Sequence, residues 1–582
     1  MRNFYIKYKD WDLKIGMALF VFVTALFVIP DVLFFFQISV TNRDFFIGLV
    51  FMIVALYYIT GKNKGETALL LLCVLICIGL SIWFSGNLLD TSYDGNGYRK
   101  IMTGLLKEGW NPIWHKPDEF NEAVKAAPVA LASWGDNSNW FWMDVHPKAL
   151  AVVSSVVYAI TGNIESGKFY TLISIVMVFC FYNHFLRKHL KLWQAVLMSA
   201  VIACNPVAMT NIRNYYGDGF IAHILMIAVV FILEYFDEAD QKRKKGLFAG
   251  LALCIIWGFN LKINAAFYLG ILCTAMWIIV IVADRKKRNY AESRNMFVIF
   301  SGAVCSGVLL GFSPYVTSIY RYGEFLPGVL GNSKSMTGAF HASTQGMYSI
   351  QIFWAYIFGK MGDYWTDKQL PLKIPFTVSE QEIENYCIAY PAFETFGLFF
   401  SGLLIISFIL LFFLIICFRK TIKENLLIKI SLVMYVLVFA QCMFSPTGIG
   451  LRYVAHFWLC MVYPFILGAY FSNQLLNHVV QASIGNVLII LTAFLCFMNI
   501  FPYFKYYDFS VFNNTESSLQ KMFCDGYEGI KISFLEGMYG MCFNLRDAGI
   551  ELEKCEIIEL EMMPEGYEYI CGGKVVFQLS EK

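Results

Sequence analysis

Long apolar stretches alternate with short polar segments along most of the 582-residue chain. An α-helix needs roughly 20 mostly apolar residues to cross a bilayer, and many of the stretches approach or reach that length. They predict an all-α polytopic membrane protein with about thirteen transmembrane helices. The predicted spans are residues 14–38, 45–60, 67–85, 167–186, 191–209, 220–236, 245–260, 264–282, 295–313, 391–418, 424–443, 452–472 and 483–503. A shorter apolar run at 147–161 predicts a re-entrant or interfacial helix.

The composition agrees with a chain whose main partner is the lipid bilayer. Apolar residues make up 58% of it and charged residues 15%, whereas soluble proteins carry about a quarter charged residues. The net charge of +2 gives no reason to expect nucleic-acid binding. The first apolar run, from Ile15 to Val40, exceeds the roughly 7–15 residues of a signal-peptide core, so we expect a retained first span.

Basic residues predict the direction in which the chain crosses the membrane, because short cytoplasmic loops collect Lys and Arg. The main basic positions all fall on one face of the predicted bundle: Lys7, Lys9, Lys14, Lys62, Lys64, RKHLK (187–191), QKRKK (241–245), DRKKR (284–288) and FRKTIK (418–423). We therefore expect a multi-pass protein of the plasma (inner) membrane with a cytoplasmic N-terminus. An odd number of spans then places the C-terminus outside the cytoplasm.

The extracytoplasmic face is predicted to carry three long segments, residues 86–146, 314–390 and 504–582. The predicted parts of the chain are a three-span segment (1–85), a first outer loop with juxtamembrane helices (86–166), a transmembrane core (167–503) and a C-terminal domain (504–582). Alternating stretches in the tail, CEIIELEMM and GKVVFQLS, predict strands and hence a small α+β domain. The tail also contains Cys524, Cys542, Cys555 and Cys571, which could form disulfides outside the cytoplasm.

Polar side chains gather at the predicted outer rim of the bundle. The stretch TSYDGNGYR (91–99) directly follows the third predicted span and contains Asp94 and Tyr98. Further candidates at this rim are Lys148, Arg213, Tyr216, Asp218, Lys262, Arg452, Tyr453 and His456. Several cations on a face otherwise poor in them indicate a site for an anion, such as a lipid-linked phosphate. A carboxylate beside it could take a proton from an acceptor or hold a divalent cation.

Each candidate also has an ordinary structural interpretation. Asp94 could belong to a turn, and Asp218 could cap the helix that follows it. Arg452 could anchor its helix at the interface, and Lys262 could cap a short hairpin between spans. Asp90 is an alternative acid to Asp94, although it lies closer to the end of the span.

Five stretches carry a resemblance to a known class of enzyme. In chain order they are YDGNGYRKIMTGLLKEGWNP, HPKALAVVSSVVYAITGNIESGKFY, NPVAMTNIRNYYGDGF, NLKINAAF and LRYVAHF, within residues 86–470. Together they resemble the GT-C class of membrane glycosyltransferases, and most closely the bacterial relatives of protein O-mannosyltransferase and aminoarabinose transferase (glycosyltransferase family 39-like). The chain departs from that plan by two extra spans before the first loop and by the lack of paired adjacent acids in that loop.

The resemblance implies a GT-C-like fold and a definite reaction. A sugar would pass with inversion from a polyprenyl-phosphate-linked donor to an extracytoplasmic acceptor, which could be a cell-envelope glycan, a lipid or a protein. Asp94 would be the general base and Asp218 a second acid. The remaining candidates would bind substrate, with Lys262 and Arg452 on the phosphate. No organic cofactor is implied, and dependence on Mg²⁺ or Mn²⁺ stays open because the paired acids are missing.

Other functions use some of the same features. A transporter or flippase of a lipid-linked or small polar substrate would place ionisable residues near the bilayer midplane, often within inverted repeats. A noncatalytic scaffold would have no need for acids and cations at one rim. A ligase that moves whole glycans from lipid pyrophosphate would share the face and the charges. Because the polar residues lie at the rim and we detect no repeat, the sequence favours the transferase.

Overall fold

The structure is a computed structural model that describes residues 10–127, 133–134, 137–327, 344, 346–362, 370–387, 395–445, 450–475, 479–506, 530–558, 568–570 and 575–578. Within these ranges, twelve helices are long and apolar enough to cross a membrane. They correspond to twelve of the predicted spans, so the chain is a multi-pass membrane protein of helical class, as predicted.

Three long helices and the first loop form the N-terminal part. The helices are α1 (Trp11–Phe34), α2 (Asn42–Ile59) and α3 (Lys64–Gly86). The loop contains a π-helix (Gly95–Arg99), α4 (Lys100–Lys107), α5 (Pro117–Val124), strands β1 (Ser133–Trp134) and β2 (Asn137–Ser138), α6 (Asn139–Val145) and α7 (Ala149–Thr161). Helix α7 is the short helix predicted at 147–161. Its 13 residues cover about 20 Å, too little to span a bilayer, and it packs against α1, α2 and α4.

The remaining bundle follows the first loop. Its first half contains a 3-10 helix (Ile164–Phe169), α8 (Tyr170–Leu186), α9 (Leu192–Ala203), α10 (Pro206–Asn211), α11 (Asp218–Asp237), α12 (Gln241–Leu261), α13 (Ile263–Lys287) and α14 (Ala291–Leu310). The second loop contributes α15 (Phe312–Tyr315), α16 (Thr317–Tyr322), α17 (Ser349–Phe358) and α18 (Glu380–Cys387). The second half contains α19 (Phe400–Cys417), α20 (Arg419–Glu424), α21 (Leu426–Met443), a 3-10 helix (Leu451–Phe457), α22 (Trp458–Leu475) and α23 (Val479–Tyr506).

The predicted fifth span, residues 191–209, is not one long helix. Helix α9 has 12 residues and covers about 18 Å, less than the bilayer core of about 30 Å. The side chain of Asn205 accepts a hydrogen bond from the Val207 amide at 2.9 Å and so caps α10. Pro206 lacks the amide hydrogen that would continue α9. The Asn-Pro pair therefore divides the span into α9 and α10.

Contacts between distant segments indicate that this broken pair still carries the chain back across the bundle. The Asp90 amide donates to the Glu165 carboxylate at 3.2 Å, and the Asp90 carboxylate accepts from the Tyr215 amide at 2.8 Å. Glu165 begins the span that includes α8, and Tyr215 directly precedes α11, so both lie at one end of the bundle. Because α8 leads away from that end, α9 and α10 must return the chain to it.

We call this end of the bundle the site face and the opposite end the basic face. Successive membrane helices alternate in direction, so the four large basic clusters, at 187–191, 241–245, 284–288 and 418–423, all lie at the basic face. The separation of charge that the sequence predicted between the two ends is therefore present in the fold.

The C-terminal unit is a small sheet with one helix, as predicted for the tail. Strands β3 (Lys531–Phe534), β4 (Glu556–Ile557), β5 (Glu568–Ile570) and β6 (Val575–Gln578) pair in the order β4-β3-β6-β5, and α24 (Met541–Asp547) lies between β3 and β4 in the chain. β3 pairs parallel to β4 and antiparallel to β6, and β5 is antiparallel to β6.

Helix α24 attaches this unit to the first loop at the site face. The Gly540 amide donates to the Asn96 carbonyl at 2.7 Å, and the Tyr158 hydroxyl donates to the Asp547 carboxylate at 2.6 Å. Of the four tail cysteines, Cys542 and Cys555 are free thiols, whereas Cys524 and Cys571 lie outside the described residues. No disulfide thus joins Cys542 to Cys555.

Candidate functional site

Four charged side chains from distant parts of the chain meet at the site face. Asp94 immediately precedes the π-helix Gly95–Arg99, and Asp218 is the first residue of α11. Lys262 occupies the junction between α12 and α13, and Arg452 belongs to the 3-10 helix before α22. Asp218, Lys262 and Arg452 lie at the start of a membrane helix or between two of them, and Asp94 lies in the first loop soon after α3 ends. The fold can therefore bring them together near the membrane surface without burying charge at the bilayer centre.

Asp218 and Lys262 form the inner part of this site. The Lys262 ammonium lies 2.6 Å from the Asp218 carboxylate, and the two side chains are 17% and 2% exposed, respectively. Burial lowers the pKa of Lys262, an effect that the Asp218 carboxylate partly opposes. The second carboxylate oxygen of Asp218, Oδ2, has no hydrogen-bond partner among the described residues. This buried oxygen is available to a ligand.

Asp94 and Arg452 form the outer part. The Asp94 carboxylate and the Arg452 guanidinium are 3.8 Å apart, which is an ion pair but longer than a hydrogen bond. Asp94 is 27% exposed and Arg452 is 10% exposed. Asp94 is thus the more accessible acid, and it lies beside a cation without being fixed to it. A general base needs this kind of access to the proton that it removes.

Tyrosine rings hold the cations of the site in place. The Arg452 guanidinium lies 5.0 Å from the ring centre of Tyr216 and 4.9 Å from that of Tyr453, and it donates to the Tyr453 hydroxyl at 3.0 Å. The Lys262 ammonium is 4.4 Å from the same Tyr453 ring. Such cation–π contacts contribute about 0.5–2 kcal/mol each. Tyr453 therefore links Lys262 and Arg452, the two cations for which the resemblance implies phosphate binding.

Arg99 is a site residue that the sequence analysis did not select. Its guanidinium lies 5.2 Å from the Tyr98 ring centre and interacts electrostatically with both Asp94 and Asp218. Arg99 also lines a small polar cavity together with Tyr98, His146, Tyr170 and Asn260. The signal was present in TSYDGNGYR, where Arg99 follows Asp94 by five residues. That spacing matches the i→i+5 repeat of a π-helix and not that of an α-helix.

We call Asp94, Arg99, Asp218, Lys262 and Arg452 the open cluster. It contains three cations and two carboxylates and so carries one positive charge in excess. The excess favours an anionic ligand, and arginine is well suited to hold phosphate oxygens through paired N–H donors.

Three further predicted residues lie beside the open cluster. The Tyr98 ring packs at 5.7 Å from the His146 ring, and burial raises the pKa of the Tyr98 hydroxyl. Burial also lowers the pKa of His146 to about 3, so this imidazole stays neutral. Arg213 is buried and donates to the Thr91 hydroxyl at 2.6 Å, just ahead of Asp94 in the chain. Tyr216 contacts Arg452 directly.

Two predicted residues make their contacts elsewhere. The Lys148 ammonium is buried and donates to the carbonyls of Asp144 and His146, at 2.8 and 3.0 Å. His456 is buried in the bundle, where its ring packs 4.8 Å from that of Tyr268 and its Nε2 lies 3.2 Å from the Gln441 amide nitrogen. Backbone carbonyls thus engage Lys148, and the side chains of Tyr268 and Gln441 engage His456, so neither residue joins the open cluster.

Asp90, the alternative acid, belongs to a different group that we call the closed cluster: Asp90, Lys100, Glu165, Lys168 and Asn544. The four charged members are 0% exposed. Lys100 contacts Glu165 at 2.5 Å and Asn544 at 2.9 Å, Asn544 donates to Glu165 at 2.8 Å, and Lys168 pairs with Glu165. Asn544 belongs to α24, so this neutral group ties the C-terminal unit to the first loop.

The described residues contain no group of three or more His, Cys, Asp or Glu side chains that could hold a metal ion. Asp94 and Asp218 are the two acids of the open cluster, and both lie among its cations. No protein-family model and no curated protein matches the chain.

Proposed function

We propose that this protein is a membrane glycosyltransferase that moves a sugar, with inversion, from a polyprenyl-phosphate carrier to an extracytoplasmic acceptor. One observation carries the proposal. At the site face, the accessible carboxylate of Asp94 lies 3.8 Å from the guanidinium of Arg452, a side chain well suited to bind phosphate. The substrate would be half lipid, so its phosphate would remain at the interface where these side chains gather.

The positive excess of the open cluster supports a phosphate ligand. In this proposal Arg452 and Lys262 contact the phosphate of the carrier lipid, and Arg99 adds to the positive field. The Tyr216 and Tyr453 rings keep Arg452 oriented before the ligand arrives, which lowers the entropic cost of binding. The same cations would offset the charge that grows on the phosphate as it departs.

Asp94 would act on the acceptor. Its carboxylate takes the proton from the acceptor hydroxyl or amine as that atom attacks the anomeric carbon. A new glycosidic bond forms while the bond between the anomeric carbon and the phosphate oxygen breaks, and the polyprenyl phosphate leaves with the electron pair. Attack from the side opposite the phosphate inverts the anomeric configuration.

Asp218 would serve as the second acid without taking the proton. One of its oxygens holds Lys262, and the buried Oδ2 could accept a hydrogen bond from a sugar or acceptor hydroxyl. A buried acceptor without a partner is costly unless a ligand satisfies it, so this oxygen would favour a hydroxyl-bearing substrate.

The orientation of the chain follows the charge rule in this proposal. The basic face would be cytoplasmic, and the site face would be extracytoplasmic in the plasma membrane. Such a site faces away from the cytoplasmic pool of nucleotide sugars, which explains the choice of a lipid-linked donor. The proposed mechanism requires no divalent cation, because the three cations of the open cluster would offset the charge of the phosphate.

The test is sugar transfer by the purified protein in liposomes, supplied with a panel of radiolabelled polyprenyl-phosphate sugars and with membranes of the source cells as acceptor. We expect wild-type transfer from one donor and a loss of about 10²–10⁴-fold in Asp94→Asn, since this is the usual contribution of a general base. Glu119→Gln, a highly exposed acid in the same loop, is the matched control and should keep full activity.

A binding measurement distinguishes a variant that has lost only its general base from one that has lost the whole binding site. Asp94→Asn should still bind farnesyl phosphate, which carries the phosphate and a short prenyl chain but no sugar. Wild-type transfer rates in Asp94→Asn would exclude Asp94 as the base. Failure of the wild type with every donor, together with no binding of farnesyl phosphate, would reject the proposed function.

A further inference from the structure

A second cavity lies between helices of the bundle, and no residue of the open cluster lines it. It is enclosed by α8, α9, α11, α21 and α22 and contains about 940 Å³ of non-protein space, including its open part. Its walls are almost entirely apolar, with side chains such as Leu186, Val229, Met434, Val438 and Leu459. An apolar cavity of this kind does not hold water well, because water finds too few polar partners there.

The cavity is deep in the direction of the membrane normal. Its lining extends along α21 from Asn425, just before the helix, to Val438. Thirteen residues of helix correspond to about 20 Å, or roughly two thirds of the hydrocarbon core. Its depth and apolar walls suit a long alkyl chain that lies parallel to the helices.

The mouth of the cavity is polar. His189, Asn425 and Tyr470 line this end, and the Asn425 amide donates to the Tyr470 hydroxyl at 3.4 Å. His189 also lies 3.4 Å from the Asp237 carboxylate. A polar rim at one end of a mostly apolar cavity matches the layout of a lipid with one polar end.

Positive charge dominates next to this mouth. Residues 419–429 carry four cations, Arg419, Lys420, Lys423 and Lys429, and one acid, Glu424. On the other side, Lys191 is exposed beside the lining residue Leu190, whereas Lys188 pairs with Glu234 and Asp237. The excess of cations at the membrane surface favours an anionic headgroup.

We propose that this cavity binds an anionic phospholipid from the leaflet at the basic face. One acyl chain occupies the apolar cavity, and the phosphate lies at the mouth near Lys423 and Lys429. The inference does not depend on the proposed transferase activity, since it uses neither the open cluster nor its ligand.

The test uses native mass spectrometry of the full-length protein released from nanodiscs that contain equal amounts of phosphatidylglycerol and phosphatidylcholine with the same acyl chains. We expect the wild type to retain one phosphatidylglycerol in preference to phosphatidylcholine. Val438→Phe, which fills the cavity from α21, should reduce that retention at least tenfold. Val436→Phe is the matched control, because Val436 lies on the same helix but faces outward, 59% exposed, whereas Val438 is 2% exposed.

A second pair of variants tests the headgroup and keeps the proposal open to refutation if Val438→Phe fails to fold. Lys423→Ala with Lys429→Ala should abolish the preference for phosphatidylglycerol, whereas Lys286→Ala at another basic cluster should leave it unchanged. Equal retention in the wild type and in both variant sets would overturn the proposal. Preferential retention of added polyprenyl phosphate over phosphatidylglycerol would overturn it as well.

Discussion

The open and closed clusters are built from the same kinds of side chains and differ in almost every other respect. The closed cluster is neutral, with two lysines and two acids that are all 0% exposed, and each of their side-chain nitrogen and oxygen atoms has a partner. The open cluster carries one positive charge in excess, and its Asp94 is 27% exposed. The two groups lie next to one another, since Asp90 belongs to one and Asp94 to the other.

This difference distinguishes charged side chains that stabilise the fold from charged side chains that remain available to a ligand. A buried charge is tolerated when a partner and hydrogen bonds replace its water, and the closed cluster meets that requirement within the protein. The open cluster leaves Asp218 Oδ2 without a partner among the described residues, so part of its hydrogen bonding remains for a ligand. We infer that the closed cluster holds the first loop and the C-terminal unit together, while the open cluster binds substrate.

The largest effect on stability should come from the closed cluster. Glu165→Gln leaves Lys100 and Lys168 buried without their shared carboxylate, and removal of one partner from a buried ion pair costs about 3–5 kcal/mol. We expect a large drop in the melting temperature and faster proteolysis of the C-terminal unit. Asp94→Asn, measured beside it, should melt within a few degrees of the wild type. Equal stability of the two variants would contradict the structural role that we assign to the closed cluster.

The next effect concerns ligand binding at the open cluster. Arg452→Ala should weaken the binding of farnesyl phosphate by about 10–100-fold, since a hydrogen bond to a charged group contributes about 1.5–3 kcal/mol. Arg452→Lys should recover part of the loss, because it keeps the charge but not the paired donors. The measurement is titration calorimetry in detergent. Unchanged affinity in Arg452→Ala would show that the phosphate, if it binds, lies elsewhere.

A smaller effect should appear where the C-terminal unit contacts the first loop through neutral groups. Tyr158→Phe removes the hydroxyl that donates to Asp547 at 2.6 Å. The Ile164 amide still donates to that carboxylate at 2.7 Å, so the cost should be about 1–2 kcal/mol. The melting temperature of Tyr158→Phe should therefore lie between those of the wild type and Glu165→Gln. A loss of stability as large as that of Glu165→Gln would show that the hydrogen bond between Tyr158 and Asp547 is the main attachment of the C-terminal unit.

A separate effect is a pH dependence of stability from Lys148. Burial lowers its pKa to about 7 in the folded protein, against about 10.5 when it is unfolded. Between these values the unfolded chain binds the extra proton, so the contribution of Lys148 to stability should rise with pH from about 7 to about 10. The melting temperature of the wild type minus that of Lys148→Met should therefore increase from pH 7 to pH 9. A flat difference would show that Lys148 remains charged in the fold.

The sequence was informative about the bundle because the bilayer imposes length and charge rules on it. The alternation of apolar runs and basic clusters predicted the helical class and the two unlike ends. It predicted a span at 191–209, where the fold has two short helices, α9 and α10, in place of one long helix. Asn205-Pro206 is a recognisable helix break, but the apolar residues on both sides of it dominated the pattern.

The site was partly predictable for the same reason. Asp94, Asp218, Lys262 and Arg452 each stand at an end of an apolar run, and residues at matching ends meet once the helices pack. Sequence position could not reveal where a side chain points, so His456 was selected although it packs against Tyr268 inside the bundle.

The closed cluster could not be predicted from the sequence. Lys100 and Asn544 are separated by 444 positions, and their contact depends on how the C-terminal unit docks onto the first loop. Asp90 was consequently weighed as a catalytic acid. In the fold its carboxylate accepts hydrogen bonds from Ser92 and Tyr215 and is fully buried.

The most direct test of the account is the side of the membrane on which the open cluster lies. Single cysteines would replace Glu122, exposed in the first loop at the site face, and Lys286, exposed at the basic face. Both would be treated with a membrane-impermeant thiol reagent in intact cells, with the parent protein as the blank. We predict that Glu122→Cys is labelled and that Lys286→Cys is labelled only after the cells are opened. The reverse pattern would place the open cluster in the cytoplasm and contradict transfer from an extracytoplasmic lipid-linked sugar.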